Sequence, residues 1–224
     1  MTIANKISYF LPKILRNNLK RPWHNIELFL FFFSSGGRIF YNKDIGNFYA
    51  TKPILGSNLK KKLPIVTRSN KELKRWMAFG RNKNDKLYRW LLELNNCEVL
   101  WDIGSANGLE GFMVNFLHGS KIVFIEPFTP SIESILKTHF IVETKFKKKL
   151  NTEVIQAACD IKKGFEKLIN HTKPAAGETY NSIEDGIKHY CDGGRQKLSQ
   201  SSFQWIKKIT LDEVLLDLKI QAPS

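Results

Sequence analysis

The sequence predicts an α/β protein in which an open parallel sheet with crossover helices follows a basic, mainly helical N-terminal segment. Three observations favour this class. Short apolar runs alternate with helical patterns from residue 97 onward, a glycine-containing turn follows the first of these runs, and the positive charge is concentrated before residue 90. The expected division is therefore a basic segment of helices and loops over 1–90 and an α/β domain over 91–224.

The two parts differ sharply in charge. The 224 residues contain 35 Lys and Arg against 21 Asp and Glu, a formal net charge of +14. Residues 1–90 alone hold 19 basic and 4 acidic side chains, so the excess belongs to this segment. Such a segment is attracted to phosphates on lipid, nucleic acid or a carrier, or is simply a solvated basic surface. No motif that reads bases is present, so nucleic acid is not the expected partner.

The first element is a basic amphipathic stretch over residues 3–15, interrupted by Pro12. A helix of this kind docks on its own domain or lies on an anionic membrane surface. The apolar run "IELFLFFF" (Ile26 to Phe33) is too short to span a bilayer. With no signal peptide and three widely separated cysteines, the expected location is the cytoplasm, with peripheral membrane attachment as the open alternative.

The rest of the N-terminal segment changes from turn-rich to helical. Residues 34–70 contain turn signals such as "SSGG" and "NKDIGN" and predict short strands and loops. Residues 69–94 predict helix in two pieces, the second capped by Asn84 or Asp85. Its expected buried face carries Leu87, Trp90, Leu91 and Leu94.

The α/β part is predicted element by element. The pattern indicates a strand over 97–103, a helix near 108–117, a strand over 121–126, a helix over 130–140 and a strand over 152–158. This order is typical of parallel strands joined by right-handed crossovers. Residues 160–200 are polar and predict an exposed excursion. The last stretch predicts a strand running into a helix, with Thr210 as N-cap and Glu213 completing a capping box.

The turn after the first strand, in "VLWDIGSANG", has the residues that a ligand site requires. In open parallel sheets ligands bind beyond the carboxyl ends of the strands. Gly104 and Gly108 permit left-handed backbone geometry, while Ser105 and Ala106 have small side chains. The following helix offers free N–H groups at its start. A purely structural interpretation stays open, in which Asp102 only caps that helix.

The glycine pattern discriminates between cofactors. A dinucleotide fingerprint starting at Gly104 requires glycines at 106 and 109, where the chain has Ala106 and Leu109. Asp102, two positions before the first glycine, instead suits a cofactor without a pyrophosphate but with a cationic amino-acid end. Glu126 closes the second strand, 22 positions after Gly104, and a carboxylate there can accept hydrogen bonds from ribose hydroxyls. These features favour S-adenosylmethionine over a nicotinamide cofactor.

Four separated motifs together resemble the FkbM-type S-adenosylmethionine-dependent methyltransferases, whose core is a Rossmann-like class I methyltransferase fold. They are "LWDIGSANG", "VFIEPF", "VIQAACD" and "KKITLDEVL", in the family's order, and the resemblance covers about Gly80 to Ser224. It implies O-methylation of a hydroxyl on a sugar, glycolipid or related metabolite. The implied cofactor contacts are Asp102, Gly104, Ser105, Ala106, Asn107 and Gly108, with Glu126 on the ribose and Ala157, Ala158 and Asp160 on the adenine side. No metal site is expected.

The resemblance also predicts an incomplete sheet. Members of the family continue with a strand resembling "hiKiDvEGaE", whereas this chain ends at "LKIQAPS". A sheet of three parallel strands should leave an unpaired edge and an uncovered apolar face, so a truncated member is expected. Two further functions stay open, a non-catalytic remnant and a basic protein that binds anionic surfaces on a Rossmann-like scaffold. No catalytic residue is assigned; the acids and histidines considered as bases are Asp160, His171, Asp185, His189 and Asp192.

Overall fold

A computed structural model describes residues 26–56, 62–68, 70–82, 85–94, 96–171, 182–183 and 200–224. Its elements, in chain order, are α1 (26–34), β1 (Arg38–Asn42), β2 (Asn47–Pro53), β3 (Lys62–Val66), α2 (Asn70–Ala78), α3 (Lys86–Glu93), β4 (Val99–Ile103), α4 (Leu109–His118), β5 (Lys121–Ile125), α5 (Thr129–Lys145), β6 (Thr152–Ile155), β7 (Ala158–Cys159), β8 (Gly164–His171), β9 (Ser182–Ile183), β10 (Gln200–Ile209) and a π-helical turn (Glu213–Asp217).

The predicted parallel sheet is confirmed. β4, β5 and β6 lie side by side in that order, and both neighbouring pairs are parallel. Helix α4 connects β4 to β5, and α5 connects β5 to β6, so the three strands end at the same edge of the sheet. The chain is therefore mixed α/β with a parallel sheet and helices, an arrangement compatible with a Rossmann-like fold.

Both faces of the parallel sheet are covered, because successive side chains of β5 point in opposite directions. Ile122 and Phe124 enter the main core, together with residues of α4, α5 and the N-terminal segment. Val123 and Ile125 enter a second cluster on the opposite face, and each is at most 1% exposed. The expectation of an uncovered apolar face is therefore wrong. The cover comes from residues after the third strand: Ala157, Ile209, Val214 and Ile220.

The described part of the N-terminal segment contains a sheet as well as helices. β1, β2 and β3 form an antiparallel sheet in that order, which confirms the short strands predicted over residues 34–70 and corrects the expectation of a mainly helical segment. Leu28, Phe32 and Ile65 from this segment are buried in the same cluster as Phe112 and Phe124 of the α/β part. The two parts thus share one hydrophobic core.

Polar side chains of α5 complete the hydrogen bonding at the end of β3. The N–H of Val66 donates to Thr138 Oγ1 (2.9 Å), and Ser134 Oγ donates to the carbonyl of Val66 (3.1 Å). Both side chains of α5 are fully buried. A buried main-chain group without a hydrogen-bond partner lowers the stability of the fold. The two hydroxyls avoid that loss and fix the end of β3 against α5.

A buried lysine caps the C-terminal end of α2. Lys52, on β2, is 1% exposed, and its ammonium group donates to the carbonyls of Trp76 (3.1 Å), Met77 (3.3 Å) and Phe79. Burial lowers the pKa of Lys52 to about 7. The carbonyl oxygens at a helix C-terminus attract a positive charge, which explains how a lysine is accommodated there.

The helix after Asp85 is confirmed, but its predicted buried face is only partly correct. Asp85 accepts a hydrogen bond from the N–H of Tyr88 and caps the helix as expected. Leu91 is buried, whereas Leu87 and Trp90 are 45% and 51% exposed. The helix instead buries Tyr88, whose hydroxyl donates to the carbonyl of Leu55 (2.8 Å).

Residues 160–200 are not only an exposed excursion, because β8 lies within them. β8 pairs antiparallel with β10, which on its other side pairs in parallel with β7. The predicted strand before Thr210 is therefore confirmed as β10. Thr210 Oγ1 also accepts a hydrogen bond from the N–H of Glu213 (3.1 Å), as a cap should, while the Glu213 carboxylate binds Lys207 instead of completing the box.

The last residues run beside β4. The N–H of Ser224 donates to the carbonyl of Val99 (3.1 Å), and its hydroxyl accepts from the N–H of Glu98 (2.8 Å). Trp101 Nε1 donates to the carbonyl of Gln221 (2.9 Å). Part of the β4 edge therefore has hydrogen-bond partners within the chain.

Several expectations fall outside the described residues. They are the amphipathic stretch over 3–15, Asn84 as a cap, and Asp185, His189 and Asp192 as bases; of His171 only the main chain is described. Among the described helices, none is long and apolar enough to cross a membrane.

Candidate cofactor-binding site

The turn after β4 adopts the left-handed geometry that its glycines permit. Gly104 and Gly108 have φ angles of +71° and +73°, as predicted. A Cβ added to Gly104 would meet no atom within 4 Å, so the main chain faces open space there. Ala106 lies in the same region, with φ of +50°, and a side chain disfavours that conformation. A strained residue in the middle of the predicted turn is typical of functional loops.

Glu126 holds this turn against the end of β5. One carboxylate oxygen accepts from the N–H of Ala106 (2.8 Å), and the other accepts from the N–H of Phe128 (3.0 Å). The side chain is buried, and burial raises the pKa of Glu126, while the two N–H groups and Arg68 oppose that rise. A carboxylate has about four acceptor positions, so these two hydrogen bonds use about half of them. Glu126 thus stabilises the turn through hydrogen bonds to the main chain. This role cannot be inferred from the spacing between Gly104 and Glu126 in the sequence.

Asp102 lies at the same edge of the sheet, close to the start of α4. Its Oδ2 accepts from the N–H of Gly111 (3.1 Å), in the first turn of the helix. A Cβ at Gly111 would lie 2.5 Å from the Phe124 ring and 2.9 Å from that oxygen, so only glycine lets the helix approach this closely. Asp102 does contact the helix, as the structural interpretation requires, but only through one of its two oxygens in the described hydrogen bonds.

The surroundings of Asp102 are electrostatically negative. Burial, together with the nearby carboxylates of Glu110 and Glu126, raises the pKa of Asp102 to about 7, while the Gly111 N–H and Arg75 oppose that rise. Arg75 is itself paired with Glu110 at 2.6 Å. Although the chain carries a formal charge of +14, this site has more carboxylates than cations acting on Asp102. A cationic group placed here would be stabilised and would displace the proton of Asp102.

Two buried polar atoms of the turn have no hydrogen-bond partner among the described residues. They are Ser105 Oγ and Asn107 Oδ1, on side chains that are 3% and 2% exposed. Buried polar groups in proteins are nearly always paired with protein, water or ligand. The turn therefore has one hydroxyl and one amide oxygen whose hydrogen-bonding capacity the described residues do not use.

The residues predicted on the adenine side follow β6, at the same edge of the sheet. Ala157 is buried in the second apolar cluster, and Ala158 packs against a third cluster formed by Phe128, Leu168 and Ile206. Asp160 lies at the end of β7, where its carboxylate binds Lys208 (3.1 Å) and accepts from the N–H of Ile161 (2.6 Å). Lys208 lowers the pKa of Asp160. Asp160 therefore stays ionised within an ion pair and a turn.

Arg68, at the end of β3, joins the site from the N-terminal segment and was not predicted from the sequence. Its guanidinium binds Glu72 (2.9 Å) and Ser131 of α5 (3.2 Å) and lies 5.9 Å from the ring centre of Phe128. It also lowers the pKa of Glu126. Its Nε and Nη1 lack hydrogen-bond partners among the described residues. No local pattern distinguishes Arg68 from the other basic residues of its segment.

A chain of amide and hydroxyl groups connects the site to β10. Gln156 donates to Thr129 Oγ1 (2.8 Å), which donates to Gln204 Oε1 (3.3 Å), and Gln204 donates to the carbonyl of Pro127 (2.7 Å). These contacts fix β10 beside the loop that follows Glu126. Sequence reasoning missed them because the partners are up to 77 positions apart.

An open groove of about 540 Å³ lies apart from the turn, between the loops that follow β7 and β10. Its walls include Ile161, Lys162 and Leu216, and also Thr210 and Asp212 from the "KKITLDEVL" motif. None of the predicted cofactor residues lines this groove. The motif therefore shapes a different surface from the one that Asp102 and Glu126 form.

No family model, curated protein or solved structure matches this chain. The functional interpretation consequently rests on the sequence motifs and on the geometry of the site.

Proposed function

We propose that this chain is an S-adenosylmethionine-dependent methyltransferase that acts on a hydroxyl group of a sugar, glycolipid or related metabolite. The observation that carries the proposal is the environment of Asp102. A partly buried carboxylate in a net negative surrounding lies beside a turn with two unpartnered buried polar atoms. Without a ligand, such a site is destabilising, and a molecule with a positive charge and polar groups would relieve it.

The residues present fit the amino-acid end and the ribose of this cofactor. The carboxylate of Asp102 would bind the cationic amino group, and Ser105 Oγ and Asn107 Oδ1 would pair with polar atoms near it. The remaining acceptor positions of Glu126 would take ribose hydroxyls. The open space at Gly104 leaves room for close approach to the main chain.

When bound, S-adenosylmethionine supplies an electrophilic methyl carbon on a sulfonium. The part of this chain is to hold the donor in a fixed orientation, which accounts for much of the rate in a displacement of this kind. The braced turn between Gly104 and Gly108 provides that rigidity, since Glu126 ties its middle to the end of β5. The acceptor class comes from the resemblance to FkbM-type enzymes, and no residue is assigned as general base.

Calorimetry on the full chain tests the proposal. We expect S-adenosylmethionine to bind in the micromolar range at pH 8 and more weakly at pH 6, because protonation of Asp102 competes with the cationic ligand. At pH 7, comparison of buffers with different ionisation enthalpies should show release of up to about half a proton per ligand. Asp102→Asn should weaken binding by about 10- to 100-fold, the value of a charged hydrogen bond. Glu133→Gln, on an exposed side chain of α5, is the matched control.

Three results would count against the proposal. Unchanged affinity in Asp102→Asn would show that the carboxylate does not contact the ligand. Binding of NAD in place of S-adenosylmethionine would show that the turn accepts a pyrophosphate in spite of Ala106. If a folded chain binds neither molecule, the non-catalytic remnant becomes the better interpretation.

A further inference from the structure

Helix α1 has two apolar faces, of which only one packs into the core formed by the described residues. Leu28 and Phe32 point into the main core and are 3% and 0% exposed. The opposite face carries four large apolar residues at positions i, i+3, i+4 and i+7, each between 38% and 65% exposed: Ile26, Phe29, Leu30 and Phe33. We call these four residues the outer stripe. A helix with apolar residues on two opposite faces is normally buried on both.

The outer stripe is a fixed feature of the surface. The inner face anchors α1 in the core, and the turn after the helix is closed by hydrogen bonds from Gly36 to Phe33 and from Gly37 to Phe32. The Phe29 and Phe33 rings stack with 6.3 Å between their centres. Contiguous exposed apolar surface of this kind marks a site of interaction.

The charge around the outer stripe restricts what can cover it. Residues 1–25, which lead into α1, carry five Lys and Arg and no Asp or Glu. The single acid of α1, Glu27, is paired with Arg81 at 3.5 Å. The apolar face therefore belongs to a strongly positive part of the chain, and its partner should combine an apolar interior with a negative surface.

We infer that the outer stripe inserts into the interface of an anionic membrane, to which the net positive charge of the chain attracts the helix. A second copy of the chain would cover the stripe but would bring two segments of like charge together. A nucleic acid would match the charge but would leave the stripe exposed. An anionic lipid surface accounts for both features, as in helices that lie along the plane of a membrane. The inference does not depend on methyl transfer.

Vesicle co-sedimentation of the full chain tests the inference. We expect binding to vesicles of mixed phosphatidylcholine and phosphatidylserine, little binding to phosphatidylcholine alone, and weaker binding at high salt. Leu30→Gln should lower the partition onto anionic vesicles by about tenfold, because it removes the most exposed member of the stripe from the apolar phase. Leu136→Gln should leave binding unchanged, since this leucine is 53% exposed on α5, outside the stripe.

The folded state and the competing partners are checked on the same proteins. The urea midpoints of the variants should match the wild type, and Ile26→Gln serves as a second stripe variant if Leu30→Gln is destabilised. Equal vesicle binding by wild type and both stripe variants would overturn the inference, because charge alone would then explain adsorption. The inference would also be overturned if analytical ultracentrifugation showed a dimer of the wild type that Leu30→Gln dissociates. The same holds if the wild type bound duplex DNA and Leu30→Gln weakened that binding.

Discussion

Asp102→Asn should make the protein more stable at neutral pH, which is unusual for the loss of a hydrogen-bonded side chain. Burial, with the carboxylates of Glu110 and Glu126, raises the pKa of Asp102 to about 7, whereas an aspartate in an unfolded chain titrates near pH 3.9. Between these values the folded state binds more protons than the unfolded state. The free energy of unfolding therefore falls as pH rises from about 4 to about 7.

The size of this effect follows from the difference in pKa. A difference of roughly three units corresponds to at most about 4 kcal/mol, since one unit is worth about 1.36 kcal/mol. Asparagine has no charge to bury, and its side-chain oxygen can still accept from the N–H of Gly111. The variant should thus match the wild type near pH 4 and exceed it by a few kcal/mol at pH 8.

Urea unfolding followed by tryptophan fluorescence at several pH values between 4 and 8 measures this difference, with Glu133→Gln as the control for removal of an exposed carboxylate. If Asp102→Asn and the wild type show the same dependence on pH, the carboxylate is not in a negative, poorly solvated site. The main physical support for a cationic ligand would then be lost.

Three further substitutions test other parts of the structure. In the wild type, the unfolding free energy should rise by about 2 kcal/mol between pH 7 and pH 9, because the pKa of Lys52 is lowered in the folded state and only the unfolded state keeps the proton in that range. Lys52→Met should show no such rise. Urea titrations at both pH values measure the difference. Thr138→Val should cost about 1–3 kcal/mol by leaving the buried Val66 N–H without an acceptor, and the exposed Thr144→Val should cost less. Ala106→Gly should be neutral or stabilising by up to about 1 kcal/mol in thermal unfolding, and a loss of stability would show that its backbone is unstrained.

The local part of the site could be predicted from the sequence. The apolar run ending at Ile103, the glycines at 104 and 108 and the acid at 126 lie within one strand–helix–strand unit, where short-range geometry determines which groups meet. The left-handed geometry that Gly104 and Gly108 permit is present in the structure, and Glu126, at the end of the adjacent strand, accepts a hydrogen bond from the turn. Cofactor binding at this turn stays a prediction.

The remainder of the site could not be predicted, since it is formed by residues far apart in the chain. Arg68 reaches Ser131 across 63 positions, and Gln204 reaches Pro127 across 77. Their sequence neighbourhoods do not differ from those of an ordinary basic or polar surface. In the same way, Tyr88 rather than Trp90 is buried on α3, because the carbonyl of Leu55 offers its hydroxyl a partner.

The sequence by itself determined the alternation of strands and helices, the position of the turn and the uneven charge. Each of these features depends on residues that are close together in the sequence. Only the tertiary structure decided which charges surround Asp102 and what covers the second face of the parallel sheet. It also decided which apolar side of α1 faces the core and which faces solvent. Both sides are apolar, and the choice between them depends on how α1 packs against residues far away in the chain.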